Sequence, residues 1–307
     1  MRSCSSDLTR RAAILAAGAS CSVAAFASGD GLVEVAPGLF VRRGVDAEAS
    51  RANLDGIANA GFAIGAASIC VTDPGGSMAD GAALRRAIRR RSALPISHVI
   101  LNHDHPDHLF GASAFVADRP AFVGHRALAG SLAARGDYYR ARLAEAIGAD
   151  AAGSLVAPTL PVTDVSRIDL GGRMLEVTAH PPAHTHCDLS TRDMTSGVLL
   201  TGDLLFVGRV PAWDGSLTGW LAVLEAMRGA RAVPGHGPAI VALPSAVAGL
   251  RRYLLALRDG TRRAIAANVP IAVAAKTVAI EERPHWRLFD AYHPRNVIQA
   301  YKELEWE

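Results

Sequence analysis

The chain has 307 residues, half of them hydrophobic and 20% charged, which suits one large α/β unit or two small ones with a well-buried core. Its formal charge is +3, and residues 1–27 alone contribute +2 from Arg2, Arg10 and Arg11 against Asp7, so the remainder is close to neutral. That balance, with no basic stripe interleaved with aromatics, argues against a nucleic-acid partner held through phosphates. No uninterrupted apolar run reaches membrane-spanning length.

The N-terminus reads as an export signal, residues 1–27. Thr9-Arg10-Arg11 precedes the apolar run Ala12 to Ala19, and Ala25-Phe26-Ala27 offers a small-x-small cleavage site. The paired arginines point to the twin-arginine route and a periplasmic location; a Sec signal with two arginines, or an amphipathic first helix, are the alternatives. Cys4 and Cys21 fall in this segment, leaving Cys70 and Cys187. An oxidising compartment permits a disulfide, but Cys70 sits in the apolar run Ala66 to Val71 and reads as a small buried hydrophobe.

Leu32 to Arg43 alternates and turns at Pro37-Gly38, as a hairpin does. Asn59 to Val71 gives a strand pair broken at Gly65, followed by a turn at Pro74-Gly75-Gly76. Gly81 to Arg91 has the spacing of an amphipathic helix with an arginine-rich outer face. Ile96 to Leu101 is a buried strand, and Leu109 to Ala117 has the apolar spacing of a short helix. Ala121 to Val123 is a short strand, and Ala127 to Ile147 is a long, mostly helical stretch that lids or flanks the loops before it. A second cycle opens near Leu160. Ser166 to Leu170 and Arg173 to Ala179 flank Gly171-Gly172 as a hairpin, Val198 to Leu200 is a strand, and Gly219 to Met227 is helical. Ala230 to Val233 is a strand, and Pro244 to Arg258 is a strong helix. Strands followed by helices, twice over, imply two packed sheets with helices outside.

Between the strand at 96–101 and the short helix lies His103-Asp104-His105-Pro106-Asp107-His108, in which five of six residues can bind a metal. His184, Asp203 and His236 also sit in loops after expected strands, and Asp73 ends another. Sites are built where such strand ends converge. Imidazole with carboxylate, and no required thiolate, suits two Zn²⁺ and tolerates Fe or Mn. Two metals need about three protein ligands each and share one hydroxide. His103, His105 and His184 are assigned to one metal, Asp107, His108 and His236 to the other. Asp203, with two oxygens, bridges them. Asp107 is also positioned to orient the nucleophile or pass its proton. Asp104 reads as solvent-facing. His125, His98 and His180 read as ordinary polar or structural histidines. Arg209 reads as a surface ion pair, with an anion-binding role as its alternative.

The pattern His103-x-His105-x-Asp107-His108, then His184, Thr201-Gly202-Asp203 and Pro234-Gly235-His236-Gly237, resembles the metallo-β-lactamase superfamily, in its glyoxalase II-like hydrolase branch. Asp73 in Thr72-Asp73-Pro74-Gly75-Gly76 matches the motif that orients the metal loop. The resemblance implies a four-layer αββα sandwich over 32–240 with the dinuclear site at one edge, and residues 241–307 form a C-terminal helical extension. It also favours His184 over His186 as a ligand, because Thr185 and Asp188 complete a His-Thr-x-x-Asp arrangement. Histidine at 105, where the flavodiiron branch carries Glu, favours hydrolysis over redox chemistry. No basic C-terminal cluster reads as a glutathione clamp. A narrower resemblance rests on Gly202-Asp203-Leu204-Leu205-Phe206, Asp214-Gly215-Ser216, Gly219-Trp220 and the tail Tyr292-His293-Pro294-Arg295-Asn296-Val297 to Glu307. These segments are similar to the SoxH-related zinc metallohydrolases of quinoprotein (PQQ) systems. The resemblance implies an exported zinc hydrolase of a small carbonyl or thioester substrate, linked to a periplasmic quinoprotein. Its alternatives are a metal-binding accessory protein for quinoprotein maturation and an iron-dependent persulfide dioxygenase.

Overall fold

The structure is a computed structural model that describes Met1 and residues 31–307. The export-signal reading of residues 1–27 lies outside the described residues, apart from Met1.

The hairpin expected at 32–43 is β1 (Leu32–Ala36) and β2 (Leu39–Arg42). The pair broken at Gly65 is β3 (Ala60–Ile64) and β4 (Ile69–Asp73). After α1 (Met78–Arg91) come β5 (Ile96–Leu101), β6 (Ala121–His125), α2 (Leu128–Ile147), the single turn α3 (Ala149–Ala152) and β7 (Leu160–Val162). These seven strands form one sheet in sequence order. It is antiparallel up to β4 and parallel from β4 to β7.

The second sheet contains β8 (Val165–Asp169), β9 (Met174–Ala179), β10 (Leu189–Asp193), β11 (Leu199–Phe206), β12 (Arg231–His236) and β13 (Val241–Ala242). Their order is β13-β12-β11-β10-β9-β8. Helices α4 (Leu217–Ala226), α5 (Leu243–Ala266), α6 (Ile271–Thr277) and α7 (Phe289–Leu304) complete the chain. No helix among the described residues is long and apolar enough to cross a membrane.

The layers follow from strand alternation, since successive side chains point to opposite faces. On β4, Cys70 enters the core between the sheets, while Ile69 and Val71 join the core beneath the helices. On β5, Ile100 faces the other sheet, while Val99 and Leu101 face the helices with Leu84, Ile88 and Leu132. A third core packs α4, α5 and α7 on the second sheet through Trp213, Trp220, Tyr253 and Val297. The result is the αββα sandwich with a C-terminal helical layer. Cys70 and Cys187 are both buried and free.

Local chemistry sets the element ends. Ser77 caps α1 by accepting from the Asp80 amide at 3.1 Å, and Arg89, Arg90 and Arg91 occupy its last turn, where the helix dipole favours cations. Ser216 caps α4 by accepting from Gly219 N at 3.0 Å, and the other end of the chain adds to that cap. Glu303 on α7 accepts from Leu217 N at 2.7 Å, Ser216 Oγ at 2.9 Å and Thr218 N at 3.2 Å.

Three elements differ from expectation. Residues Phe110–Asp118 form a 3₁₀ rather than an α-helix. Their tighter turn keeps Gly111 against the Pro74 carbonyl, where a Cβ would sit 2.1 Å away. Strand β11 does not stop at Gly202 but runs on to Phe206, with irregular register around Gly202. Gly202 has φ of +50°, so the strand kinks and turns Asp203 toward the sheet edge. Strand β10 carries Ser190, Thr191 and Arg192 and gave no apolar signal.

Candidate metal centre

The strand-end loops of the two sheets meet at one edge. β5 delivers His103, His105, Asp107 and His108, the last two on the short 3₁₀ turn Pro106–His108. The β9–β10 loop delivers His184, β11 carries Asp203, and β12 ends at His236. Asn59 fastens the edges together. It donates to the Pro234 carbonyl at 2.8 Å and accepts from Gly44 N at 3.0 Å. Gly235 is required where it stands, because a Cβ there would lie 1.9 Å from Asp203 Oδ1.

All seven expected ligands come together, in two groups. His103, His105, His184 and Asp203 offer ligand atoms within 4.8 Å of one another, and so do Asp107, His108 and His236. In the first, His184 Nε2 lies 3.0 Å from His105 Nδ1 and 3.3 Å from Asp203 Oδ2, with His103 Nε2 3.7 Å from that oxygen. In the second, His236 Nε2 is 3.1 Å from Asp107 Oδ2. The other oxygen of Asp203, Oδ1, reaches this second group, at 2.9 Å from His108 Nε2 and 3.5 Å from His236 Nε2. One carboxylate therefore faces both groups, an oxygen to each.

The outward nitrogens fix the ring orientations. Asp73 Oδ2 lies 2.5 Å from His108 Nδ1 and also accepts from Asn102 Nδ2 at 2.6 Å, while Asp73 Oδ1 takes Gly75 N at 3.0 Å. His236 Nδ1 faces the Ile57 carbonyl at 3.0 Å. Asp214 Oδ1 stands 3.6 Å from His105 Nε2, and Asp214 is itself bonded by Arg135 of α2. A proton held on each outward nitrogen leaves the inward one as a lone-pair donor. After His184, Asp188 closes the turn by accepting from Thr185 N at 2.8 Å and Thr185 Oγ1 at 2.7 Å.

Electrostatics favours a cation here. Burial, with the neighbouring charge of His108, pushes His103 down to about 3, and burial holds His184 well below the ordinary imidazole range. Burial resists charge on His108, but Asp203, Asp73 and Asp107 outweigh it and raise the ring. Burial also opposes charge on Asp203, yet His108 and His236 hold it well below the usual carboxylate range. His103 Nε2, His108 Nε2 and Asp203 Oδ1 are buried without hydrogen-bond partners. Buried polar atoms that converge without directed hydrogen bonds are what a metal site looks like before its ion is counted. The donor set fits two borderline divalent ions.

These contacts decide the family. A model of the metallo-beta-lactamase superfamily matches residues 35–236. The chain belongs to the metallo-β-lactamase superfamily. The His-rich motif of that superfamily is intact in it. Among solved structures it is similar to the stereoselective inverting sec-alkylsulfatase Pisa1 from Pseudomonas sp., at 20% identity and a TM-score of 0.65. That match covers 89% of this chain and 50% of the alkylsulfatase, so the chain spans about half the length of that relative. A metallo-beta-lactamase from Pontibacter korlensis matches at 16% identity and a TM-score of 0.59, covering 73% of this chain and 98% of its own. The structure of TMB-1 matches at 16% identity and a TM-score of 0.56, covering 73% of this chain and 96% of its own. At these identities the likeness concerns the fold. No curated protein sequence matches.

Asp104 and Arg209 are not where the sequence suggested. Asp104 is buried rather than solvent-facing, because Ser131 of α2 packs over the loop and bonds its carboxylate. His186 is exposed and lines no cavity at the site. Trp213 and Trp220 are core residues, and Trp220 lies against His184 with ring centroids 5.1 Å apart. Arg209 forms no surface ion pair; it is buried beside His236. Trp306 is exposed. The sequence did not single out Asp214 as a neighbour of His105. Its place between two liganding loops was the available signal.

A cavity of about 270 Å³ opens over the centre. His105, Asp107, Asp203 and His236 form its floor, α2 supplies Tyr139 and Leu143, and α7 supplies Tyr292 and Arg295.

Proposed function

We propose that the chain is a dinuclear metallohydrolase that cleaves a small carbonyl ester or thioester. The observation that carries this is Asp203, whose two oxygens each face one ligand group. His103, His105 and His184 would hold one metal, Asp107, His108 and His236 the other, with Asp203 between. Two bound Zn²⁺, or Fe or Mn in their place, supply an activated water and polarise the scissile carbonyl. The chain's own residues do the rest. Asp73 and Ile57 orient the rings of His108 and His236. Asp107 reaches the cavity floor and stays ionised: burial opposes its charge, but His108 and His236 outweigh burial. It is therefore able to orient the attacking water or accept its proton. Leu143, Ala146 and Phe206 give the cavity an apolar wall.

The test is metal-replete full-length protein assayed on thioesters, a chromogenic β-lactam and an alkyl sulfate, beside His103→Ala. Thioester turnover lost in the variant supports the reading; equal rates in both proteins overturn it. The alkyl sulfate is the second reading, since the cavity combines an apolar wall with arginines and the similar Pisa1 structure is an alkylsulfatase. Metal content near two per chain separates both from the mononuclear persulfide dioxygenase. A maturation accessory binds metal without turnover. Export through the twin-arginine route, beside a periplasmic quinoprotein, belongs to the same proposal; it fails if Arg10→Lys with Arg11→Lys leaves export intact.

A further inference from the structure

We infer that the substrate carries a fixed oxyanion, seated on Arg209 and Arg295 of the cavity lining. This rests on the hydrolase reading and names its substrate class. Arg209 lies in the loop after β11 and is only 5% exposed. Its Nε is buried with no hydrogen-bond partner. Among the described residues no carboxylate lies within 4.0 Å of its guanidinium. Its neighbours are the Tyr292 ring, 5.8 Å from Cζ, and His236 Nδ1, 3.2 Å from Nη1. That nitrogen already faces the Ile57 carbonyl at 3.0 Å, so it is a poor acceptor for the arginine. A buried guanidinium without an anion is costly, and such charges are normally paired.

The other charges of the cavity do not supply that anion. Asp107 and Asp203 are committed to the metal groups. Asp55 also lines the cavity, buried and within reach of the Arg209 charge, but lies beyond 4.0 Å of its guanidinium, and burial with the charges of Asp107 and Asp80 pushes its carboxyl well above the usual range. Arg142 is already paired with Glu145 at 2.5 Å. Arg295 lines the cavity, is exposed and forms no ion pair among the described residues.

Helix α7 is fixed so as to present this charge. Tyr292 and Arg295, three residues apart, share the face toward the cavity. On the opposite face His293 is held by Tyr253 Oη at 3.0 Å and the Val278 carbonyl at 2.8 Å. Asn296 donates to the Pro211 carbonyl at 2.7 Å, two residues beyond Arg209. Asn296 thus ties the Arg209 loop to the helix that carries Arg295. Two guanidinium forks of this kind select a carboxylate, sulfonate or sulfate by shape as well as charge. Leu143 and Phe206 add apolar surface to the same lining.

The experiment compares three acetyl thioesters on the metal-loaded full-length protein: those of propanethiol, 3-mercaptopropionate and 3-mercaptopropanesulfonate. Wild type should prefer an anionic thioester by at least about tenfold in kcat/KM, carried by KM. Arg295→Gln should shrink the preference, and Arg209→Gln with Arg295→Gln should bring the ratio close to one. The carboxylate and sulfonate arms tell which oxyanion is accepted. Metal content and Tm of each variant exclude a collapsed site. Calorimetric binding of the matching thioethers separates the two claims. No turnover, with tighter binding of the anionic thioethers that is lost in the double variant, removes the thioester reading and keeps the anion site. Turnover with equal kcat/KM for neutral and anionic thioesters overturns the anion site and keeps the hydrolase.

Discussion

At the scale of single residues, the centre depends on groups that touch the ligands rather than the reaction. Asp73 is the clearest. With its carboxylate removed, His108 loses the partner that sets its tautomer. Asp73→Ala should weaken metal binding at the Asp107, His108, His236 group about ten- to a hundredfold, read by competition with a chromogenic chelator. Gly235 acts by omission, leaving room for Asp203 Oδ1. His180, away from the metals, gives a pH signature. Burial, with the nearby charge of His125, lowers its pKa to about 4. The unfolded chain then takes up a proton near pH 6.5 that the folded chain refuses until about pH 4. Stability from this group is intact above about pH 6.5 and is lost as pH falls toward 4. His180→Gln should flatten that part of the wild-type Tm profile, and identical slopes in both proteins would refute it.

At the scale of elements, the site is held by helices attached to loops far away in the chain. α2 bonds Asp104 through Ser131 and Asp214 through Arg135, so one helix clamps both sides of His105. α7 reaches the opposite wall, pins Pro211 through Asn296 and caps α4 through Glu303. Glu303→Ala should cost about 1–2 kcal/mol in urea unfolding, because α4 loses the acceptor for its first amides. A change within error would mean that Ser216 caps α4 unaided. The sequence showed these helices but not their partners. A helix is legible from spacing, whereas the register of Ser131 over Asp104 depends on how the helix packs.

At the scale of the molecule, the two sheets are joined at both edges. At the metal edge the joint is polar, through Asn59 and the ligands. At the opposite edge Arg173 forms a buried pair with Asp193, at 2.7 and 3.2 Å, and also donates to the Pro37 and Ile64 carbonyls of the other sheet. Removing one partner strands the other charge in the core. Asp193→Ala should therefore destabilise by about 3–5 kcal/mol, more than Arg173→Met, measured by chemical denaturation. Equal small losses would show that the pair is solvated.

The cluster of candidate ligands was legible in the sequence for a physical reason. Four of its seven residues lie within six residues of one strand-to-helix loop, and the others follow strands whose apolar runs mark them. Local spacing there determines chemistry, and the order of motifs determined the family and the sandwich. What the sequence left open was every property that depends on a distant segment. Asp104 is buried only because α2 crosses it, and Asp214 reaches His105 only because the loop after β11 folds back over the metal edge. Arg209 looked like a surface arginine until α7 closed over it and left it without a carboxylate. Burial and pairing of a charge are set by what packs around it, and the packing elements lie up to a hundred residues away, where no local pattern records them.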